Sequence, residues 1–361
     1  MLKIQNSPHT LLNRINRWKL IVFLLFVTLI VLVLVTVTIG SMDVSLSDVY
    51  TILIKNLPFI GDYVHAEISP IHTEVVLNIR LPRVLVAGVV GVALAAAGAV
   101  LQGLLRNPMA DPYVLGISAG ASVGASLAIG FGLGSSFLGF LYAVPLMAFV
   151  GALITIFVVY NISKRGGGNS MLSLLLIGIA ISSFLSAVVS FIKIISSDAL
   201  HGIVYWIMGS LQVAGWNHLF IASPFVFGGL IIIFFYAKDL NIITLGEHQA
   251  QHLGVDVESL RTRLLICVSL ITAAAVSVSG IIGFIGLIIP HMTRLLVGPD
   301  HRILIPTSAL LGAIVLIICD TLARTLMSPA EIPVGIITAL LGSPFFVYLL
   351  IKRKKIVGSW H

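Results

Sequence analysis

The sequence predicts an all-α membrane protein with ten transmembrane helices and with both termini in the cytoplasm. Of its 361 residues, 58% are hydrophobic and 10% are charged, whereas a soluble domain carries about 25% charged residues. Ten apolar runs approach the roughly 20-residue length that spans a bilayer. Of the 21 lysines and arginines, 16 fall on the side of the two termini and 5 on the other side, as the positive-inside rule requires. This distribution accounts for the net charge of +7 without a nucleic-acid partner.

The ten runs share their length and their lack of charge. They lie at 20–39, 84–104, 114–133, 139–160, 171–195, 219–237, 264–282, 284–298, 303–322 and 333–351. The first run follows a basic extension, residues 1–19, and it exceeds the apolar core of about 7–15 residues that a signal peptide has. We therefore predict an uncleaved first span. Glycines interrupt the seventh and eighth runs, which membrane proteins tolerate where the backbone is buried or lines a cavity.

Two long segments are predicted on the outer side. Residues 40–83 have room for short surface helices. Residues 196–216 contain an aromatic-rich stretch, GIVYWIMGSLQVAGW, that is too short to span a bilayer. We predict a re-entrant or surface helix there.

A polar segment, TLGEHQAQHLGVDVESLRTR, stands at residues 244–263 between two apolar runs. Thr244 and Glu247 have the spacing of a capping box that opens a short helix. Gly254 has the place of a left-handed residue that ends it, and Asp256 then caps the next helix. The caps predict a rigid cytoplasmic helix that docks to a partner, and the alternative is an ordinary solvated loop.

Small residues repeat every four positions in GISAGASVGAS, residues 116–126. This pattern is typical of close helix packing, and it also suits a smooth lining for a transport path. Together with the glycine-broken region, it gives five candidate path residues: Ser118, Gly120, Ser122, Gly283 and Gly286. The same stretch contains G-x-S-x-G, the pattern around the nucleophile of serine hydrolases. Such an enzyme also needs a strand–turn–helix elbow and partner residues, so a hydrolase with Ser118 as its nucleophile is only a remote alternative.

Ionisable residues inside the predicted spans are few. Asp320 and Arg324 have the i,i+4 spacing of a helix pair, and no relay typical of a proton- or sodium-coupled carrier follows from the sequence. Such a carrier remains the alternative from a different class. The sequence has no G-x-x-x-x-G-K-[ST] phosphate loop, so transport driven by ATP requires another chain to bind the nucleotide.

Three arginines are predicted at span ends on the outer side, where the positive-inside rule disfavours them: Arg80, Arg83 and Arg324. They indicate either an anionic partner or lipid headgroups. The two cysteines, Cys267 and Cys319, lie in apolar runs without disulfide or metal spacing.

Four long stretches resemble the FecCD-type permeases, the membrane subunits of ABC importers for iron–siderophore complexes, haem and vitamin B12. They are NIRLPRVLVAGVVGVALAAAGAVLQGLLRNPMADPYVLGISAGASVGA (78–125), LGEHQAQHLGVDV (245–257), SGIIGFIGLIIPHMTRLLVGPDHRILIPTSALLGA (279–313) and EIPVGIITALLGSPFFVYLL (331–350). The resemblance covers nearly the whole chain beyond the first span. It implies one permease domain over residues 1–361 with the type II ABC importer fold, in which 244–260 is the cytoplasmic coupling segment.

The resemblance also implies partners and sites. The chain would form a homodimer or pair with a similar subunit in a bacterial or archaeal cytoplasmic membrane, contacting lipid. Two ATPase subunits would hold ATP and Mg, with no cofactor and no catalysis on this chain. They would dock on Thr244, Gly246, Glu247, His248, Gln251, Leu253 and Gly254. An external binding protein would dock on Arg80, Arg83 and Arg324 and deliver a ferric siderophore, or else haem or cobalamin.

Overall fold

A computed structural model describes residues 8–40, 42, 44–56, 68–133, 142–165 and 171–357, and these residues form helices and connecting segments without β-strands. The α-helices are α1 (Pro8–Thr38), α2 (Leu46–Lys55), α3 (Pro70–Glu74), α4 (Leu81–Leu104), α5 (Ile117–Gly130), α6 (Val144–Arg165), α7 (Met171–Ile195), α8 (Leu200–Ile207), α9 (Trp216–Phe235), α10 (Ala237–Leu245), α11 (Glu247–His252), α12 (Val257–Ser279), α13 (Ile285–Val297), α14 (His301–Thr325) and α15 (Val334–Val357). The all-α prediction is confirmed.

Each of the ten predicted apolar runs has a helix at its position. Among the described residues, seven helices are long and apolar enough to cross a membrane. Three further apolar helices are shorter: α5, α13 and the Val334–Tyr348 part of α15. The predicted short outer helices are also present, as α2 and α3 in one segment and α8 in the other. Residues 57–67 and the first seven residues of the basic extension lie outside the described residues.

Three helices form the centre of the bundle. Each helix has a most apolar 18-residue window, and the buried fraction of that window is 89% for the helix that contains α4, 78% for α12 and 72% for α14. The corresponding fractions for α1 and α7 are 11% and 17%. A helix that is apolar all round and still exposed is expected in contact with lipid, so α1 and α7 lie at the periphery.

Glycines let the central helices touch backbone to backbone. A Cβ on Gly91 of α4 would collide with the carbonyl oxygen of Gly312 of α14, and the reverse holds for a Cβ on Gly312. About two turns further along α4, a Cβ on Gly98 would collide with the carbonyl oxygen of Gly286 of α13. Small residues permit this approach, and packing contacts drive helix association where lipid supplies no hydrophobic force.

The α4 helix begins earlier than its predicted run. Residues Pro70–Leu104 form one continuous helical rod, in which Val75–Arg80 is π-helical. Pro82 has no N–H to donate, so the preceding turn cannot keep its regular hydrogen bonds. The Leu81 N–H donates to the carbonyl of Val76, five residues back, and this wider turn lets the rod continue.

The glycine contact between α4 and α14 yields a stability prediction. We expect Gly91→Ala to lower the free energy of unfolding by about 1–3 kcal/mol, because the methyl group forces two backbones apart. The matched control is Gly228→Ala on exposed α9, where an added Cβ meets nothing within 4 Å. Thermal unfolding in detergent measures both. Equal midpoints for the two variants would show that the close contact does not stabilise the bundle.

Candidate functional site

The polar segment forms a compact turn at one end of the bundle, which we call the coupling end. The segment runs from α10 through α11 into α12, and glycines mark both ends of α11: Gly246 has φ 139° and Gly254 has φ 83°. The N–H of Gly254 donates to Gln251 and that of Val255 to Ala250, each at 3.0 Å, which is a Schellman motif. Asp256 accepts from the Ser259 N–H at 3.1 Å and caps α12. The predicted ending and the predicted second cap are therefore both present.

The predicted capping box is wrong. Thr244 belongs to the last turn of α10, and its hydroxyl donates to the Asn241 carbonyl at 2.6 Å. Gly246 takes the cap position of α11 and has no side chain to accept a hydrogen bond. Glu247 turns away from the helix start and accepts from Arg261 of α12 at 2.6 Å, with Arg106 at 3.8 Å. A buried guanidinium offers this carboxylate a charged partner, which is stronger than a neutral backbone N–H.

The outward face of α11 is both polar and apolar. Ala250 is fully buried, whereas His248, Gln251 and Leu253 are exposed. Leu253 is 63% exposed, and Leu245 at the end of α10 is 62% exposed. Two exposed leucines on a rigid polar turn are compatible with the predicted docking of a partner protein, which stays a prediction.

A second network anchors α10, and it was not anticipated from the sequence. Asn241 donates to Asp300 at 2.8 Å, and its oxygen accepts from the N–H of His301 at 2.8 Å. Burial raises the pKa of Asp300, but hydrogen bonds from Arg302 and Asn241 outweigh that effect and hold this pKa at about 2. Asp300 also caps α14 through the Arg302 N–H. The sequence signal was the Asp before a helical run, which fits an N-cap.

From the coupling turn, α12 leads without interruption to a break in regular structure. Its 23 residues rise about 34 Å and end at Gly280, with φ 66°. The backbone is irregular over 280–284 before α13 begins. Side contacts tie the first turns of α12 to its neighbours, since Thr262 bonds Tyr160 at 3.1 Å and Arg263 donates to Tyr236 at 3.0 Å.

One tyrosine satisfies the backbone of this break. The Tyr113 hydroxyl donates to the carbonyl of Ile282 at 3.0 Å and accepts from its N–H at 3.2 Å. Tyr113 belongs to a 3-10 turn, Pro112–Leu115, that precedes the short α5. Pro112 in the same turn would be 3.0 Å from a Cβ on Gly286, beside the Leu94 carbonyl of α4. Two irregular segments thus meet against the middle of α4, each followed by a short helix.

The five predicted path residues lie in three kinds of environment. Added methyl groups on Gly120 and Gly286 would collide with or press against neighbouring helices, so these two glycines serve helix packing here. Ser122 is buried and donates to the Ser118 carbonyl at 2.9 Å within its own helix. Ser118 and Gly283 are partly exposed, and nothing lies within 4 Å of a Cβ on Gly283. Only these last two have the openness that a path requires.

Two of the predicted docking arginines cap α1 at the opposite end of the bundle. Arg80 donates to the carbonyls of Val37, Thr38 and Met42. Arg324 donates to the Thr36 carbonyl at 2.8 Å. A helix C-terminus has unpaired carbonyls and a partial negative charge, which cations stabilise. Both side chains are buried, at 4% and 6% exposure.

The third arginine holds a buried ion cluster. Arg83 donates to Asp320 at 2.9–3.1 Å and to Glu331 at 2.9 and 3.1 Å. The predicted Asp320–Arg324 pair is present, with 3.9 Å between Nε of Arg324 and Oδ2 of Asp320. The guanidinium of Arg83 lies closer to the same carboxylate and donates hydrogen bonds to it. Removing one member of such a buried pair costs about 3–5 kcal/mol. The three arginines are thus turned inward, and their docking role stays a prediction.

A mostly apolar cavity of about 290 Å³, with a few polar side chains in its lining, also lies at the opposite end. It is bounded by α6, α8, α9 and the end of α12, and its lining includes His201, Tyr205, His218, Ser277 and Gly280. The cavity therefore adjoins the break after α12. The sequence offered no signal for it, because its polar groups come from four separate segments.

Comparison with known proteins identifies the family. The model of the FecCD transport family matches residues 28–352 of this chain. The chain belongs to the FecCD transport family. It is therefore an integral membrane protein and an ABC transporter permease, and permeases of this family are non-catalytic transmembrane subunits.

Several relatives cover most of the chain. A cobalamin import system permease of Halobacterium salinarum is 47% identical over 280 residues, which is 78% of this chain and 74% of that protein. A hemin transport system permease of Yersinia pestis is 46% identical over 280 residues, covering 77% and 84%. An iron(3+)-hydroxamate import system permease of Bacillus subtilis is 37% identical over 284 residues, covering 77% and 84%.

Solved structures agree with this fold. An inward-facing conformation of a metal-chelate type ABC transporter matches 92% of this chain and 99% of its own, with a TM-score of 0.79 and 35% identity. PsaBC from Streptococcus pneumoniae in complex with Fab has a TM-score of 0.53 at 20% identity, covering 74% and 89%. The second likeness concerns the fold alone.

The hydrogen bonds at the break yield a prediction for this FecCD permease. We expect Tyr113→Phe to lower the free energy of unfolding by about 1–3 kcal/mol for each backbone group of Ile282 that it leaves buried and unpaired. Tyr142→Phe is the control, since Tyr142 is exposed. The thermal unfolding midpoint of each purified variant checks this. If both variants unfold at the wild-type midpoint, Tyr113 does not support the break.

Proposed function

We propose that the protein is the permease subunit of an ATP-driven importer that moves a metal chelate across the cytoplasmic membrane of a bacterium or archaeon. In this proposal all ten apolar helices span the membrane, and both termini are cytoplasmic. A second permease copy or a similar subunit lines the path, two ATPase subunits bind ATP and Mg at the coupling end, and an external protein delivers the substrate. The observation that carries the proposal is the capped turn at α11 and its direct continuation into α12.

In this proposal, the stiffness of α11 and α12 transmits movement from the ATPase to the break. Glu247 and Arg261 join α11 to α12 at 2.6 Å, and Gly254 and Asp256 fix the angle between the two helices. A displacement of α11 by an ATPase would therefore move α12 as a rod of about 34 Å. The far end of that rod is the irregular segment 280–284, where few regular hydrogen bonds resist a change of shape. Alternating access would begin there, at the open position of Gly283.

The substrate class rests on the relatives. The relatives at 46% and 47% identity are named for hemin and cobalamin, and the one at 37% for iron(3+)-hydroxamate. A ferric siderophore is the default that the family resemblance implies, and the higher identities favour haem or cobalamin. All three are bulky chelates, and the small residues beside the break suit a path for a large solute. ATP-dependent uptake of the three labelled chelates by the reconstituted complex distinguishes them.

Gly254 gives the sharpest test of coupling. We expect Gly254→Pro to abolish ATP-driven uptake, because proline fixes φ near −65° and cannot adopt the native 83°. Gly254→Asn is the matched control, since asparagine tolerates the left-handed region and no atom lies within 4 Å of the added Cβ. Uptake and ATPase co-purification are measured for both variants in proteoliposomes.

The two readouts separate the possible failures. Loss of uptake in the proline variant alone, with the permease still folded, supports coupling through α11. Normal ATP-driven uptake by Gly254→Pro would contradict the proposal. Uptake by the purified chain alone, driven by an ion gradient, would instead establish a secondary carrier. The docking of a binding protein on Arg80, Arg83 and Arg324 is a separate proposal, and all three side chains form hydrogen bonds inside the chain.

A further inference from the structure

An elongated groove runs along the periphery of the bundle between α1, α9 and α14. Its volume is about 730 Å³, within the range of about 300–1,000 Å³ that ligand sites occupy. Val92 of α4 closes it on the inside, and Phe23, Phe26, Phe227 and Phe234 form its rims. These four phenylalanines are 46–62% exposed. The groove therefore opens toward the lipid, and none of its described lining residues belongs to α5, α12 or α13.

Charge is confined to one end of this groove. Among its described lining residues the charged ones are Lys19 and Arg302, both basic, at the coupling end. Trp18 stands beside them, with the guanidinium of Arg14 4.6 Å and that of Arg302 5.7 Å from its ring. Tryptophan is enriched where the apolar layer meets the headgroups. The groove thus has a basic mouth at headgroup level and an apolar body at acyl-chain level.

The mouth keeps unused capacity for an anion. The Asp300 carboxylate accepts hydrogen bonds from Nε and Nη2 of Arg302. It also lies 3.7 Å from the guanidinium of Arg14. The Nη1 group of Arg302 has no acceptor among the described residues, and Lys19 forms no ion pair with a described carboxylate. Three cations therefore face one carboxylate, which leaves a local excess of positive charge.

We propose that this groove binds one anionic phospholipid, with its phosphate at Lys19 and Arg302 and an acyl chain along α1. Basic pockets between transmembrane helices on the cytoplasmic side are suited to acidic lipid headgroups. A helix of another chain fits the groove less well, because helix contacts in membranes favour small residues and the rims here are phenylalanines. The lipid would fasten the peripheral α1 to α9, across a gap that protein side chains leave open.

Native mass spectrometry of the full-length protein tests this site. The probes are phosphatidylglycerol and phosphatidylcholine, supplied at equal concentration to the delipidated protein in detergent. We expect selective retention of one phosphatidylglycerol. Lys19→Glu should reduce that retention by at least about fivefold, since each basic charge near an acidic headgroup contributes on the order of a fivefold change. Lys19→Arg should preserve it.

Two further variants make the outcome decisive. Lys164→Glu at the exposed end of α6 is the matched control and should retain the lipid, because Lys164 is not among the residues that line this groove. Val22→Phe adds bulk inside the groove and should reduce retention of both lipids, with an unchanged unfolding midpoint showing that it folds. Equal retention of the two lipids by the wild type would overturn the proposal. Equal losses of phosphatidylglycerol in Lys19→Glu and Lys164→Glu would also overturn it. So would a bound species with the mass of a protein that Val22→Phe removes, because a protein would then occupy the groove.

Discussion

The need to pair every backbone N–H and carbonyl inside an apolar layer governs the structure. Water is absent there, so each unpaired group costs several kcal/mol. Long helices meet this requirement through their own hydrogen bonds. A transporter also needs segments that can change conformation, and there the backbone is irregular. At the break after α12, the hydroxyl of Tyr113 pairs with both backbone groups of Ile282. The N–H of Ser210 pairs with the carbonyl of Ser279 at 2.8 Å. Irregular backbone persists because other segments of the chain supply its partners.

The same requirement explains the arginines at the opposite end. Helix α1 stops at Thr38, and its last carbonyls need donors that the chain itself must supply. Arg80 and Arg324 supply them, and Arg83 neutralises Asp320 and Glu331 beside them. These basic residues, predicted on the outer side, therefore have a structural role in the chain itself: they complete α1 and join α4 to α14. An incoming protein would have to approach a cluster that is already internally paired.

Much of this architecture could be predicted from the sequence, because bilayer thickness and backbone pairing leave few choices. Run length placed the ten helices, and Gly254 and Asp256 were recognised because a left-handed glycine and an N-cap act within a few residues. What failed depended on distant partners. The Thr244 capping box is wrong because Glu247 pairs with Arg261. The Asp320–Arg324 pair is present at 3.9 Å, but Asp320 has a closer partner in Arg83, which is 237 positions away and which no local pattern could predict. Tyr113 was missed for the same reason, since nothing local connects it to Ile282.

The glycines show where pattern alone leaves two interpretations open. Gly120 and Gly283 both suited a path lining in the sequence, yet one is pressed against α6 and the other faces open space. Only the helix positions separate the two. The same holds for the lipid-facing groove, because Lys19 and Arg302 are 283 positions apart in the sequence and yet line one groove.

The central claim is that α12 carries movement of the coupling turn to the break as a rigid body. Paired spin labels test it most directly in the assembled complex, diluted with unlabelled protein, after both native cysteines are replaced by alanine. One pair joins Leu253→Cys to Ser279→Cys, and the other joins Ser118→Cys to Gly283→Cys. The account predicts that ATP trapping leaves the first distance unchanged and shifts the second. A change in the first distance with a constant second distance would contradict it, because the coupling turn would then move without moving the break.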